Sequence, residues 1–544
     1  MALRRGLTNR QPKGNAQATT VRAAHGGMDG RVSLADYDAN IAIYTYNLIS
    51  DEYGMKVRKG YAEHCIGLDR GLSTLTGVKT LIPFVAATGD VTDDRLFAVT
   101  NEGIWNVSEY DSPTLDITFT NRGGDSGNGV YTQYNTDAAA TLVFYADPEN
   151  GLFTYTQATD TWTQTPDFTG LAAAEVSSIT LHKQRIWLVK RNSGDAFYLD
   201  IGAVAGDATK FQFGSKFKRG GRLVGVYNWT IDGGTGVDDY LVGISSAGDV
   251  IPYQGEDPEA TGSGVWEQRG VYFVGNIVGG SKCASEFGGD LHILSSFGVT
   301  PLSTLIRGQD ASTAADGIGA KTTFYLREDV RANPNGVGWA TTFLPSQGSV
   351  VISTPKRSNG VFIQYAYDVN RETFGWWRGV PAICFAEWRN KTYFGTLDGK
   401  VSTLDQELDD RRITPVNPDN GLPIEFSSLF AFSGLDSAGR FKRGTMIRPD
   451  FVSQSPLAYQ AKFAYDYAIV KFSTSVSQNE VEGGVWDVGV WDNAIWGSQD
   501  LKNRTKVIGT FGLGRTLAVA IQGSAKSETY LMSYDVIWNT GGIL

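Results

Sequence analysis

Apolar runs alternate with short turns along most of the chain from about residue 70 onward. In the segment RLFAVTNEGIWNVS, for example, aromatic and β-branched residues flank a turn that contains Asn and Gly. Such side chains suit a pleated strand, and Gly or Asn adopts the positive φ of a tight turn at little steric cost. The pattern therefore predicts an all-β fold of repeated hairpins. The clearest hairpins lie at 95–108, 141–156, 185–201, 239–253, 290–306 and 391–405.

The turns of these hairpins recur at a regular spacing. The turn glycines are Gly103, Gly151, Gly194, Gly248, Gly298 and Gly399, at intervals of 48, 43, 54, 50 and 101 residues. The long last interval holds two further apolar segments, 350–355 and 361–377, which could supply a missing unit. A period of roughly 40–50 residues, mostly strand, is what a four-stranded propeller blade requires. We predict a β-propeller of six to eight blades, with seven favoured, and a set of β-sandwiches is the alternative.

The two ends of the chain depart from this pattern and predict additional segments. Residues 1–30 are polar and basic without the apolar stretch of a secretion signal, so we predict a flexible polar arm. Residues 31–70 predict an N-terminal segment, with a short helical or irregular stretch, that packs on or closes the propeller at 71–410. Residues 411–544 begin with a link rich in Pro and Asn and predict a separate C-terminal β-rich domain.

Composition agrees with a globular β protein. Of 544 residues, 65 are Gly, near 12% against a usual share of about 7%, and a hydrophobic fraction of 41% is enough to bury a core. No apolar run approaches the ~20 residues that a membrane helix needs, so we predict no membrane span. The cysteines Cys65, Cys283 and Cys384 are odd in number and far apart, which predicts buried, reduced thiols in a protein folded in a cytosol.

The charge balance bears on nucleic-acid binding. The net charge is −10, with a pI near 5.1. A dedicated nucleic-acid binder normally presents a basic surface that neutralises phosphates, so the balance disfavours that class. It does not exclude a wall along which DNA slides, because a like charge discourages adhesion. The basic start of the chain leaves nucleic-acid contact as the alternative for the arm.

Residues with metal or catalytic chemistry are present but scattered. The histidines are His25, His64, His182 and His292, none within helical ligand spacing of another. His64 is followed directly by Cys65, but neighbouring residues of a strand point to opposite faces. The sequence has no CxxC, HExxH, GxSxG or GxxxxGK[ST] motif. We therefore assign no catalytic, cofactor-binding or metal-binding residue, expect no cofactor, and predict that the protein is not an enzyme.

Charged and aromatic clusters have simpler interpretations than binding sites. The acidic clusters are Asp93 with Asp94, Asp238 with Asp239, and Asp405 with Glu407, Asp409 and Asp410. The last one lacks the pattern of a Ca²⁺ loop, so a solvated acidic loop is favoured over a Ca²⁺ site. The segments 216–222 and 440–445 share the residues FKRG, which predicts basic turn tips that are solvated or contact an acidic neighbour or nucleic acid. Core packing is favoured over sugar binding for the tryptophans Trp376, Trp377 and Trp388.

The segment 26–68 carries the first of three features that point to a known family. It contains a Gly-Gly turn, a short helix-like stretch and a V-R-x-G-Y element. That element consists of Val57, Arg58, Gly60 and Tyr61. The segment resembles the N-terminal signature of tail proteins of short-tailed bacteriophages.

Two later segments resemble the same proteins. Residues 362–401, FIQYAYDVNRETFGWWRGVPAICFAEWRNKTYFGTLDGKV, are similar to their final propeller strands. Residues 485–497, VWDVGVWDNAIWG, precede a strand-rich end that closes at 533–542, similar to their C-terminal β domain. The tryptophans of this segment, five residues apart, are Trp486, Trp491 and Trp496. The family that these segments resemble is the podovirus tail nozzle or tail hub group, the tail tubular protein B type.

The resemblance implies a structural virion protein of the phage tail, assembled in the host cytoplasm. Its subunits would form a hexameric ring, docked to an adaptor or head-to-tail connector and carrying tail fibres or spikes. Genomic DNA would pass through the lumen during ejection without sequence-specific binding. The C-terminal domain would contribute to ring and adaptor contacts, and no catalytic residue is carried over.

Two other functions remain open from the sequence. One is a carbohydrate-binding or carbohydrate-cleaving propeller, whose mark would be two carboxylates ~5–10 Å apart at the centre. The other is a cellular interaction scaffold of the WD-repeat kind, although no recurrent WD or GH signature accompanies the repeats.

Overall fold

In the computed structural model the chain divides into two compact units. The propeller unit consists of Asp29–Arg31 and Arg58–Leu422, and the sandwich unit consists of Met1–Met28, Val32–Val57 and Pro423–Leu544. The predicted C-terminal domain is thus joined by residues from the beginning of the chain. The structure describes residues 16–68, 77–136, 141–232, 237–259, 266–308, 317–411, 421–435, 439–470, 472 and 501–541.

Six small antiparallel sheets form a ring in the propeller unit. Consecutive strands lie side by side in these sheets, because the turns between apolar runs bring them together, and only the sixth sheet adds a strand from earlier in the chain. The first sheet contains Thr80–Phe84, Arg95–Val99, Gly103–Asn106 and Thr114–Thr118. The second contains Val130–Asn135, Thr141–Asp147, Gly151–Thr156 and Thr161–Gln164. The third contains Val176–His182, Arg185–Lys190, Asp195–Tyr198 and Thr209–Gln212. The fourth sheet contains Leu223–Asp232, Val237–Ser245, Asp249–Gly255, Trp266–Gln268 and Tyr272–Phe273. The fifth contains Ala284–Phe287, Asp290–Ser295 and Gly298–Pro301. The sixth contains Ala382–Trp388, Lys391–Thr396, Val401–Glu407 and Gly60–Cys65.

Apolar cores between neighbouring sheets hold the ring together. The core between the sixth and first sheets contains Leu81, Trp105 and Trp388, each at most 5% exposed. Similar clusters join the first sheet to the second, the second to the third, the third to the fourth and the fourth to the fifth. Because each sheet buries its faces against its neighbours, the sheets are stable only together.

A further four-stranded meander lies between the fifth and sixth sheets in chain order. It contacts both neighbours: the rings of Phe287 and Phe343 are 4.9 Å apart, and Gln364 donates a 2.7 Å hydrogen bond to the Ala382 carbonyl. Its strands are Ala340–Leu344, Ser349–Ser353, Ile363–Asp368 and Thr373–Arg378. The predicted β-propeller of six to eight blades is confirmed by the six small sheets, one fewer than the favoured count of seven, and this meander is additional to them.

The turn glycines lie where the second strand of each sheet leads into the third, either in the turn or at the first residue of the third strand. Positive φ angles, between 72° and 152°, are found at Gly103, Gly151, Gly248, Gly298 and Gly399. At Gly248 an added Cβ would lie 2.0 Å from the carbonyl oxygen of Gly275, so no larger residue fits this turn. These glycines recur at the spacing of the sheets, because the equivalent turn of each of these sheets requires one.

The sixth sheet is closed by a strand from the start of the propeller unit. The closing pair is Gly60–Cys65 with Val401–Glu407. Beside it, Arg58 is 2% exposed and donates to both carboxylate oxygens of Asp410, at 2.8 and 2.5 Å. An added Cβ at Gly60 would lie 1.8 Å from the carbonyl oxygen of Asp409, so the backbones approach as only glycine allows. The V-R-x-G-Y element therefore fastens the closing strand.

The sandwich unit has two packed sheets to which both ends of the chain contribute. One contains Ala16–Arg22, Leu48–Asp51, Gly54–Val57, Lys442–Ser453, Lys502–Asn503, Ile508–Gly514 and Thr529–Thr540. The other contains Ala42–Tyr46, Ile424–Phe430, Ala458–Tyr465 and Leu517–Ala525. Their inward side chains, such as Phe426, Phe451 and Tyr534, form one buried core.

The predicted flexible arm at 1–30 differs from the structure from residue 16 onward. Ala16–Arg22 is a strand that pairs antiparallel with Thr529–Thr540. Thr20 Oγ1 donates a 2.6 Å hydrogen bond to Asp535, 515 residues away in sequence. A polar segment with so distant a partner shows no local strand pattern, which explains the difference. Residues 1–15 lie outside the described residues.

Helix is rare in the described ranges. The α-helices are Leu302–Ile306 and Gly317–Ala332, and short 3₁₀ turns occur at Val91–Asp93, Ala173–Glu175, Gly214–Lys216, Gly280–Lys282 and Pro345–Gln347. Of the two alternatives for the N-terminal segment, helical or irregular, the structure has the irregular one, because residues 32–41 are turns, bends or irregular and strands follow them up to residue 65. Among the helices described, none has the length and apolarity to cross a membrane.

Candidate functional site

The histidines singled out in the sequence are separate in the structure. His64 Nε2 lies 2.8 Å from the Val107 carbonyl oxygen, and His182 Nδ1 lies 2.7 Å from the Asn228 amide oxygen. The three cysteines are buried free thiols. Over the ranges that the structure describes, no group of three His, Cys, Asp or Glu residues is placed to hold a metal ion.

Burial lowers the pKa of His182, which is 3% exposed. The folded chain therefore binds fewer protons here than the unfolded chain, whose His pKa is about 6.5, and stability present at pH 7 is lost as the pH falls below about 6.5. We expect His182→Gln, which does not titrate, to lose less free energy of unfolding between pH 7 and pH 5 than the parent in urea titrations. His25→Gln, at an exposed position, is the control, and an equal loss in the His182 variant would contradict the assignment.

In the acidic cluster at 405–410, the last two residues, Asp409 and Asp410, are packed into the fold. Asp409 is 3% exposed, and Asp410 holds the ion pair with Arg58. The expectation of a solvated loop is wrong for these two residues, because the closing strand covers them. The side chains of Asp405 and Glu407 lie outside the described residues.

The other acidic pairs make local hydrogen bonds. Asp93 accepts a hydrogen bond from the hydroxyl of Thr88 at 2.7 Å, and Asp94 accepts one from the Ala86 amide at 2.8 Å. Asp239 accepts one from a threonine hydroxyl in the adjoining strand. The side chain of Asp238 is not among those described.

The two FKRG segments have unlike structures. In the first, Arg219 donates to the fully buried Asp249 at 3.2 Å, and its guanidinium lies 3.7 Å from the ring centre of Phe273. In the second, Lys442 is fully buried at the start of a strand and donates to the Arg515 carbonyl at 2.6 Å. Burial lowers the pKa of Lys442. The second segment is therefore not a turn tip, and both cations named here serve packing.

The tryptophans interpreted as core residues are buried. Trp376, Trp377 and Trp388 are 8%, 4% and 4% exposed, as the preference for core packing over sugar binding predicts. Trp486, Trp491 and Trp496 lie outside the described residues.

The seven-stranded sheet of the sandwich unit carries an exposed apolar patch, which the sequence analysis missed. Phe511 and Leu513, on the strand Ile508–Gly514, are 78% and 60% exposed. Nearby along the same segment and the paired strand, Val507 and Met446 are 50% and 43% exposed. We call these four residues the edge patch. Contiguous exposed apolar side chains on a folded domain mark interaction surfaces.

The strand register places the edge patch at one side of the sheet. Met446 is aligned with Gly509 on one side and with Ile537 on the other, and Ile537 is aligned with Ala18. The strands Ile508–Gly514 and Ala16–Arg22 therefore lie at opposite edges of this part of the sheet, among the strands described. Ile508–Gly514 contains neither a charge nor a proline, the features that usually protect an edge from association.

An apolar groove of about 470 Å³ lies beside the opposite edge. Its walls include Val21, Phe432, Leu517 and Tyr534, and Ala39 stands exposed at its rim. We call it the edge groove. One sheet thus presents exposed apolar side chains at one edge and an apolar recess at the other.

Comparisons with known proteins add no functional assignment. No protein-family model and no curated protein matches the chain. Among solved structures, the extracellular domain of the hybrid two-component system BT3049 from B. thetaiotaomicron is similar over 62% of this chain and 41% of its own, at 16% identity and a TM-score of 0.36. BBS1N, in complex with ARL6DN, is similar over 45% of this chain and 74% of its own, at 11% identity and a TM-score of 0.28. At these values neither likeness bears on function.

Proposed function

We propose that this protein is a structural subunit of the tail of a short-tailed phage, of the tail nozzle or hub type. Six subunits form a ring that docks to an adaptor and supports fibres or spikes. The genome leaves the virion through the lumen of the ring. The segments 26–68 and 362–401, which resemble such proteins, support this proposal, and so does a propeller joined to a second β unit.

The observation that carries the proposal is the edge patch and the edge groove at opposite edges of one sheet. A subunit with an apolar projection on one side and an apolar recess on the other binds copies of itself head to tail. Such contacts close into a ring when the rotation between neighbours fits. A second copy is the occupant that this arrangement favours, because both complementary surfaces belong to the same chain.

The energetics of the contact are adequate for assembly. Phe511 is 78% exposed, and burying an aromatic or large aliphatic side chain contributes about 2–3 kcal/mol. Leu513, at 60% exposure, adds a similar amount. In a closed ring each subunit is held on both sides, so a modest contact becomes a stable assembly.

The charge of the chain suits a passage for DNA. A net charge of −10 gives weak repulsion of a polyanion in place of the Arg and Lys contacts that would hold it. Sequence-specific binding of the genome is not part of the proposal.

The carbohydrate-cleaving alternative requires a pair of carboxylates at the centre of the propeller. The described residues around the central cavity supply hydroxyl groups, apolar side chains and one lysine. This observation does not favour the alternative, and we do not propose it.

Electron microscopy of the purified protein, alone and mixed with the adaptor protein of its phage, tests the proposal. We expect closed rings of six subunits with a central channel, on their own or seated on the adaptor ring. Particles that remain monomeric in both preparations at micromolar concentration, together with glycan cleavage, would overturn it.

A further inference from the structure

The first strands of the six sheets and of the meander line one cavity at the centre of the propeller. Its volume is about 350 Å³. The lining combines apolar residues with hydroxyl groups and contains one cationic side chain, Lys282. This residue lies in the 3₁₀ turn Gly280–Lys282, just before the first strand of the fifth sheet.

The ammonium group of Lys282 has only uncharged hydrogen-bond partners in the described ranges. It donates to the Lys79 carbonyl at 2.6 Å and to the Thr80 hydroxyl at 2.8 Å. An ammonium has three N–H donors, so one is left for the cavity. A cation removed from water is costly without a counter-charge, and this site therefore favours an anion.

The carboxylate that acts electrostatically on Lys282 is that of Asp147, which is already engaged by its own surroundings. Asp147 is fully buried. One of its oxygens accepts from the Gly127 amide at 2.6 Å and from the Tyr145 hydroxyl at 3.0 Å, and the other accepts from the Asn150 side chain at 2.9 Å. These bonds fix the position of the carboxylate, and among the described residues Asp147 is not a hydrogen-bond partner of Lys282.

Two buried hydroxyl groups in the cavity lining lack partners. Thr341 and Ser281 are 7% and 8% exposed, and their oxygens have no hydrogen-bond partner among the described residues. Both line the cavity together with Lys282. Buried hydroxyls in folded proteins are normally hydrogen-bonded, so this pair marks a place where a ligand or water completes the set.

We propose that the centre of the propeller binds a small oxyanion, a carboxylate or a phosphate, through the Lys282 ammonium and the hydroxyls of Thr341 and Ser281. The cation supplies charge and the two hydroxyls supply donors, which together match an oxygen-rich anion. The site lies within the propeller unit and does not rest on the proposed role in a phage tail. The volume of about 350 Å³ admits a small acid.

Calorimetric titration of the full chain with inorganic phosphate, sulfate and acetate tests the site. We expect at least one of these anions to bind in a one-to-one ratio, and glycerol, an uncharged probe rich in hydroxyls, not to bind. Lys282→Met should weaken binding roughly 10- to 100-fold, the value of a hydrogen bond to a charged group. Thr341→Val should weaken it by a smaller factor, and Lys216→Met, on a solvent-exposed turn, should have no effect.

The pH dependence gives a second readout. Burial lowers the pKa of Lys282 to about 8, with Lys79 lowering it further and Asp147 and Cys384 opposing the shift. Affinity for sulfate, which does not titrate in this range, should therefore fall above about pH 8 in the parent. An unaltered affinity in folded Lys282→Met protein, or no binding of any of the three anions by the parent, would mean that the cavity holds water only and would overturn the proposal.

Discussion

Replacing Arg58 with methionine is expected to destabilise the propeller unit by about 3–5 kcal/mol, because it leaves the carboxylate of Asp410 without its partner in a buried site. Arg58 is 2% exposed and donates to both carboxylate oxygens. It also donates to the Arg378 carbonyl at 3.1 Å, so one side chain ties the closing strand to two other segments. Urea unfolding followed by tryptophan fluorescence measures the loss.

Two further variants separate the ion pair from a general effect of losing a charge. Arg371→Met breaks an exposed pair with Asp368 and should cost less than about 1 kcal/mol. The double variant Arg58→Met with Asp410→Leu should recover much of the lost stability, because an apolar pair removes the unpaired charge. If Arg58→Met were as mild as Arg371→Met, the closing strand would not depend on this ion pair.

Replacing Phe511 with aspartate is expected to abolish ring formation while the chain stays folded. The aromatic ring is 78% exposed, so its loss costs the fold little. Loss of about 2–3 kcal/mol at each contact raises the dissociation constant roughly 30- to 150-fold, and the charge opposes burial further. Analytical ultracentrifugation measures the change, with Ile201→Asp, at 61% exposure in the propeller unit, as the matched control.

Mixing two defective variants tests whether the contact runs head to tail. Phe511→Asp keeps the edge groove, and Ala39→Trp, at the rim of the edge groove, keeps the edge patch. Each variant alone should be monomeric, whereas an equimolar mixture should form heterodimers that go no further, since only one intact contact remains between the two variants. A contact between two copies of the edge patch would give no heterodimer, and that outcome would contradict the head-to-tail arrangement.

The propeller could be predicted from the sequence because the pattern that indicates it, a glycine turn between apolar runs, is local. A turn that needs positive φ selects glycine, as at Gly248, and the same turn recurs in sheet after sheet. The meander at 340–378 was accessible for the same reason, through its apolar runs. The helix Gly317–Ala332 was not, because it opens on glycines and contains two adjacent threonines, residues of low helix propensity. Its buried residues Leu326 and Val330 show that tertiary packing fixes it.

Which strands form the sandwich unit, and where the edge patch and the cavity at Lys282 lie, depend on contacts that no local pattern encodes. Ala16–Arg22 is polar, and its partner strand lies at the other end of the chain. The alternation in IGTFGLG predicts a strand but not that Phe511 faces solvent, since an apolar face usually points to a core. Lys282 likewise has the sequence context of an exposed turn, and its place in the cavity follows from the ring of sheets around it.

The separation of paired strands along the sequence also sets the order in which they can pair during synthesis on the ribosome. Glu63 of the closing strand pairs with Lys400, 337 residues later. At synthesis rates of roughly 5–20 residues per second, the closing strand waits about 20–70 s for its partner. The edge groove needs both Val21 and Tyr534, so it is completed later still. In the proposed head-to-tail arrangement, a nascent chain therefore carries no finished acceptor for its neighbours until the last strand has been synthesised.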